Sequence, residues 1–215
     1  MPKFEQKQPE KELAERTESA KILAKKFQTD KGHEFKEATE EAFAKLLDET
    51  GYFDEARPAD WVNDCLDKCD VLLKLEDGGW LAIQHSVQIP TEELLAKRDE
   101  IIKKGKITLP EHPELGEMPI VFVKDDYKNY VQRIKGVGAE IPWSQYYKTR
   151  LEKKPEAKLW KYFDNINEMI SGWLNQIEES LNEEIKIHPE DKKIYEDYLE
   201  KIQKTKKMHA ELTAS

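Results

Sequence analysis

Asp70, Gln84 and Ser86 are the residues whose types and spacing suggest chemistry. Asp70 opens the apolar run Val71-Leu72-Leu73-Lys74-Leu75. Glu76-Asp77-Gly78-Gly79 then reads as a tight turn, because Asp-Gly and Gly-Gly accept positive φ. Trp80-Leu81-Ala82-Ile83 begins a second run that continues with period two through Val87 and Ile89. Pairing the runs across the turn brings Asp70 and the Gln84–Ser86 stretch to one end of a hairpin. Oxygen donors gathered there suit Mg²⁺, which binds through one or two carboxylates plus phosphate oxygens. Without a cation, Asp70 would be a strand-entry aspartate bonded to local backbone amides.

The surrounding elements must position that end. Residues 9–28 read as a thinly striped helix. Residues 33–50 read as a better one, with Phe35, Ala38, Ala42, Phe43, Leu46 and Leu47 in register and Gly51 as the stop. Residues 52–69 are irregular, with a short helical turn around Trp61–Leu66 and room for a hidden first strand in 52–64. Pro90 ends the hairpin and Thr91 caps a helix over 91–104, whose C-terminal half is basic. Pro119–Val123 suggests a buried strand, and Asp125–Ile134 a further helix. Leu159, Phe163, Ile166, Ile170, Trp173, Ile177 and Leu181 step at helical spacing. His188-Pro189-Glu190-Asp191 starts a second helix whose stripe is Ile194, Tyr198, Ile202 and Met208. The expected fold is α/β, a small mixed sheet of three or four strands flanked by helices, plus a C-terminal helical hairpin. The expected divisions are an N-terminal helix over 1–31, the α/β core over 32–155 and the hairpin over 156–215.

Composition narrows the function classes. The chain has 215 residues, 38% hydrophobic and 37% charged, with net charge −9. That balance argues against indiscriminate nucleic-acid binding. Charge is uneven, however, with ten Lys/Arg against five Asp/Glu between Lys124 and Lys161. Such a strip could track a phosphate backbone, and a solvated helical face explains it equally well. Trp143, Tyr146 and Tyr147 beside Lys148, Arg150, Lys153 and Lys154 offer stacking with charge, or a helix seating its aromatics on the core. No apolar run reaches transmembrane length and no secretory leader is evident, so a cytoplasmic protein without membrane association is expected. Cys65 and Cys69, the only two cysteines, are expected as buried thiols. His85 points opposite to Gln84 and Ser86 and is expected to pack.

The order helix, strand pair, helix, strand around Asp70 and Ile83-Gln84-His85-Ser86 resembles the core of the PD-(D/E)XK nuclease superfamily, the restriction-endonuclease-like fold. The resemblance covers roughly residues 32–135. It implies Asp70 as the first acid and Gln84 in place of the second carboxylate, both holding Mg²⁺ or Mn²⁺. It also implies a glutamate from the first helix, with Glu37 or Glu34 as candidates. Ser86 stands where the family has a lysine, and Lys97 on the next helix is the expected stand-in. The implied activity is metal-dependent cleavage of nucleic acid, or binding by a decayed site, with Lys103, Lys104, Lys148 and Arg150 as backbone contacts. The alternative is a non-catalytic interaction module, in which residues 156–215 mediate homodimerisation or bind a protein partner.

Overall fold

The computed structural model describes residues 14–19, 21, 32–76, 78–87, 92–125, 158–163 and 165–214. Its elements run α1 (Gly32–Glu49), β1 (Glu55–Pro58), α2 (Trp61–Asp67), β2 (Val71–Lys74), β3 (Trp80–Val87), α3 (Glu92–Lys104), β4 (Lys106–Thr108), β5 (Glu117–Asp125), α4 (Ile166–Ile187) and α5 (Lys192–Thr213). Residues 14–19 are also helical.

The fold is α/β, with five strands in the order β1-β2-β3-β5-β4. β1, β2 and β3 form an antiparallel meander, β3 and β5 pair in parallel, and β4 closes the far edge antiparallel to β5. The mixed sheet is thus as expected, with the hidden first strand present as β1, and with β4 added beyond the expected three or four. These are four and three residues long, too short to show a period against their irregular flanks.

Alternation along the strands separates two cores. Val71, Leu73, Leu81, Ile83, Val121 and Val123 face a cluster with Phe43, Leu46 and Leu47 of α1 and Trp173, Leu174, Ile177 and Leu181 of α4. Leu72, Ala82, Ile120 and Phe122 face the other way, onto Ile101 of α3 and Ile107 of β4. Period-two alternation on the strands and a single stripe on each helix produce this layering.

The hairpin closes as the sequence suggests, with Lys74 opposite Trp80 and Val71 opposite Ile83. Gly78, at φ +92°, makes the turn, and Gly78 N–H donates to Leu75 O at 3.0 Å.

Three expectations are corrected. Asp125 ends β5 instead of starting a helix; residues 126–134 lie outside the described residues. Leu159 and Phe163 are core residues but not part of α4. The Glu49 carboxylate, at the end of α1, accepts the Leu159 N–H at 2.8 Å and the Trp160 N–H at 3.1 Å. It thereby caps a separate 3₁₀ turn over Leu159–Tyr162. On α5 the buried stripe is Tyr195, Ile202, Thr205 and His209, while Ile194 is exposed. His209 explains the rotation, because its ring is within hydrogen-bonding distance of Tyr52 Oη, Asn167 O and Ser171 Oγ, each at 3.0 Å.

Candidate metal centre

The site forms where α1, the loop after α2 and the mouths of β2 and β3 meet. α1 buries Ala38, Ala42, Phe43, Leu46 and Leu47. Glu40 lies three residues before Phe43 and seven before Leu47, on the flank of that stripe, and is 7% exposed. α2 is started by Asp60, whose carboxylate accepts from Asn63 N–H and from the Asn63 side-chain amide, both at 3.0 Å. Asp64 follows, half-buried. Lys68 then takes φ +61°, a left-handed conformation costly for a side chain that bears Cβ. The reversal brings the chain to Asp70.

Asp70 is fixed through its backbone and its carboxylate. Its N–H donates to Ile83 O at 2.9 Å, and its carbonyl accepts from Ala59 N–H at 2.9 Å. Its Oδ2 accepts the His85 N–H at 2.7 Å and is also contacted by Gln84 Nε2. The carboxylate thus bonds a backbone amide of the neighbouring strand. A second feature lies beside it: Glu40, Asp64 and Asp70 each offer a carboxylate oxygen, and these oxygens lie within 4.8 Å of one another. Like charges that close disfavour joint ionisation, and a hard divalent cation relieves the repulsion.

Gln84 adds a neutral donor. It is 1% exposed; its Nε2 also reaches His85 O at 3.3 Å, while its Oε1 is buried without a hydrogen-bond partner among the described residues. A buried carbonyl oxygen without a donor is costly in an apolar interior. At the edge of an acidic cluster it suits a cation.

The other expected residues fall as follows. Glu34 and Glu37 are on α1, where only the backbone is described; the described glutamate that joins the cluster is Glu40, one turn beyond Glu37. Lys97 is half-buried on α3. Lys103 is exposed, while Lys104 Nζ donates to Asp67 O at 3.2 Å and pairs with Asp67 Oδ1 at 3.7 Å. Trp143, Lys148 and Arg150 lie outside the described residues, as does most of the basic strip. Ser86 is buried on β3, on the sheet face of Gln84. His85 faces the opposite core, stacked on Phe43 with ring centroids 4.1 Å apart. Cys69 is a buried free thiol, raised well above its ordinary pKa by burial and then by the charge of Asp70; the Cys65 side chain is not described.

Two members of the cluster were missed in the sequence. Glu40 had a signal, its position on the stripe's flank beside Phe43 and Leu47. Asp64 had none, because nothing local shows that α2 turns that side chain toward Asp70. Among the described residues no helix is long and apolar enough to cross a membrane.

Scans of protein-family models, of curated proteins and of solved structures return no match to this chain.

Proposed function

We propose that the chain is a divalent-cation-dependent phosphodiesterase acting on nucleic acid, a divergent relative of the PD-(D/E)XK nucleases. One observation carries the reading: three carboxylates from α1, α2 and the entry of β2 converge within 4.8 Å, at the mouth of a hairpin whose next strand holds the partnerless Gln84 carbonyl oxygen. The element order supports it, since a helix, a three-strand meander, a helix and a parallel strand follow one another, with α2 and β4 as additions.

Each residue has a distinct task. Glu40, Asp64 and Asp70 would hold the cation, and Gln84 would complete the oxygen set by turning its amide so that Oε1 replaces Nε2. The His85 N–H, at 2.7 Å from Asp70 Oδ2, holds that carboxylate in place. A bound Mg²⁺ or Mn²⁺ supplies charge stabilisation to a phosphoryl oxygen and activation of water.

The test is cleavage of single-stranded, duplex and branched DNA and RNA in Mg²⁺ and then Mn²⁺, together with direct titration of Mn²⁺ by electron paramagnetic resonance. Asp70→Asn and Glu40→Gln should each weaken Mn²⁺ binding and lower cleavage by 10²-fold or more, the order expected when charge stabilisation of a transition state is lost. A wild-type chain that binds no Mn²⁺ at millimolar concentration and cleaves nothing would overturn the reading.

A further inference from the structure

The parallel register of β3 and β5 sets Phe122 beside Gln84 and Lys124 beside Ser86. Directly opposed residues on paired strands point to the same sheet face, with backbones about 4.8 Å apart. Lys124 therefore stands on the face of Gln84 and Ser86, one strand over from the acidic cluster's own hairpin. A groove of about 150 Å³ opens at the free edge of β5, between α3 and α4, lined by Leu95, Arg98, Phe122, Lys124, Gln176 and Glu179 among others.

Two further facts single out Lys124 among these. Both of its backbone polar groups are held by one side chain: its N–H donates to Gln176 Oε1 at 2.8 Å, and its carbonyl accepts from Gln176 Nε2 at 2.9 Å. β4 pairs only with the first residues of β5, so the Gln176 amide stands in for the absent strand and holds Lys124 rigidly at the strand end. Arg98, by contrast, is committed to Glu183. Among the described residues Lys124 makes no ion pair.

We propose that Lys124 contacts the phosphate of a nucleic acid held at the Glu40–Asp64–Asp70 cluster, and that the groove it lines receives the adjoining sugar-phosphate backbone. The proposal rests on the phosphodiesterase reading and assigns to it the positive group that faces the substrate. An ammonium across from Ser86 neutralises phosphate charge that three carboxylates would otherwise repel.

The experiment uses the full chain and reads two quantities. Binding of fluorescent single-stranded and duplex oligonucleotides is followed by anisotropy in Ca²⁺ across a salt series, and cleavage is followed in Mn²⁺. Lys124→Ala and Lys124→Met, the second keeping an apolar stem, should both weaken binding about tenfold and flatten the salt slope by about one. They should lower cleavage about 100-fold and leave Mn²⁺ titration unchanged. Lys124→Arg should retain binding within about twofold. Ser86→Lys in the Lys124→Ala background restores a cation to the same face and should recover most of the loss. Variants that bind and cleave like wild type, while Asp70→Asn abolishes metal-dependent cleavage, would overturn the role of Lys124 and leave the phosphodiesterase standing. Binding without cleavage in wild type would overturn the phosphodiesterase reading, and an unchanged salt slope in the Lys124 variants would then overturn the phosphate contact as well. Neither binding nor cleavage in wild type would overturn both.

Discussion

Gln84 gives its side-chain N–H to the Asp70 carboxylate and keeps its own carbonyl oxygen buried without a partner. The amide thus satisfies the acid at its own expense, and half a turn of that amide would reverse the arrangement. Gln84→Glu replaces the donor with a second carboxylate against Asp70. In chelator the variant should melt below wild type, because two buried carboxylates cannot both ionise in contact. In millimolar Mn²⁺ its melting temperature should rise further than wild type's, since a ligand at free concentration L that binds only the folded state stabilises by RT ln(1 + L/Kd) and the tighter site gains more. Differential scanning fluorimetry with and without Mn²⁺ measures both. Equal Mn²⁺ shifts in wild type, Gln84→Glu and Glu40→Gln would count against Gln84 and Glu40 as neighbours of one cation.

Gln176 covers the open edge of β5, pairing with both backbone groups of Lys124 as a strand would. Ser180 Oγ adds a longer bond, accepting the Phe122 N–H at 3.4 Å. Gln176→Ala strands two backbone groups at a sheet edge, at about 1–3 kcal/mol if water does not replace them. Chemical denaturation should show a loss of that order. Hydrogen exchange should speed up at the Lys124 amide and remain unchanged at the Val121 amide, which lies further inside the strand. A uniform change along β5 would mean that α4 supports the strand by packing rather than through this side chain.

The hairpin was legible because its signals are local: Gly78 in the turn, alternation on both strands, and Asp70 at the entry. Asp70 and Gln84 follow from that register alone. Glu40 was legible only by azimuth. Measured around α1 it falls beside Phe43 and Leu47, whereas Glu37 falls behind them, but on a helix this rich in acids the choice needs the sheet in place. Asp64 was not legible. Its direction depends on Asp60 starting α2 and on Lys68 adopting positive φ, and no residue type announces the latter. Tertiary bonds likewise decided the 3₁₀ turn over Leu159–Tyr162, where Glu49 takes the amides, and the rotation of α5 toward His209. Lys124 read as the first residue of a basic strip; only the register with Ser86 shows which face it occupies.

Gly105 joins α3 to β4 with φ +68°, and a Cβ there would stand 2.6 Å from Tyr195 Oη and 2.7 Å from His188 Nε2. Gly105→Ala combines a left-handed backbone penalty of about 1–2 kcal/mol with a clash against α5 and against the His188 ring, whose Nε2 lies 3.2 Å from Ile102 O. A loss of at least about 2 kcal/mol in denaturant stability is expected. Tyr195→Phe removes a buried hydroxyl that has no partner among the described residues, so alone it should be neutral or mildly stabilising. Together the two should cost less than Gly105→Ala alone, since half of the clash is gone. A double-mutant cycle measures that coupling. Strict additivity would mean that the backbone penalty, not the contact with α5, dominates.

Glu184 is fully buried on α4, and neither carboxyl oxygen has a hydrogen-bond partner among the described residues. Burial pushes its carboxyl from an ordinary 4.5 up to about 9, with the charge of Glu183 adding to the shift. The group is therefore protonated in the folded chain at neutral pH and ionised in the unfolded one. Between the two values the folded state holds a proton that the unfolded state has released, so stability falls as pH rises. The slope is at most about 1.4 kcal/mol per pH unit, which by pH 7 accumulates to a penalty on the order of 3 kcal/mol relative to a residue that does not titrate. Glu184→Gln keeps the shape and removes the titration. It should match wild type near pH 4.5 and exceed it by a widening margin as pH rises toward 9. Urea denaturation of both chains across that range reads the margin directly, and the subtraction cancels every group the two share. Curves that stay parallel would mean that the Glu184 carboxyl ionises in the folded chain at its ordinary pH, and that the interface between α4 and α5 admits water.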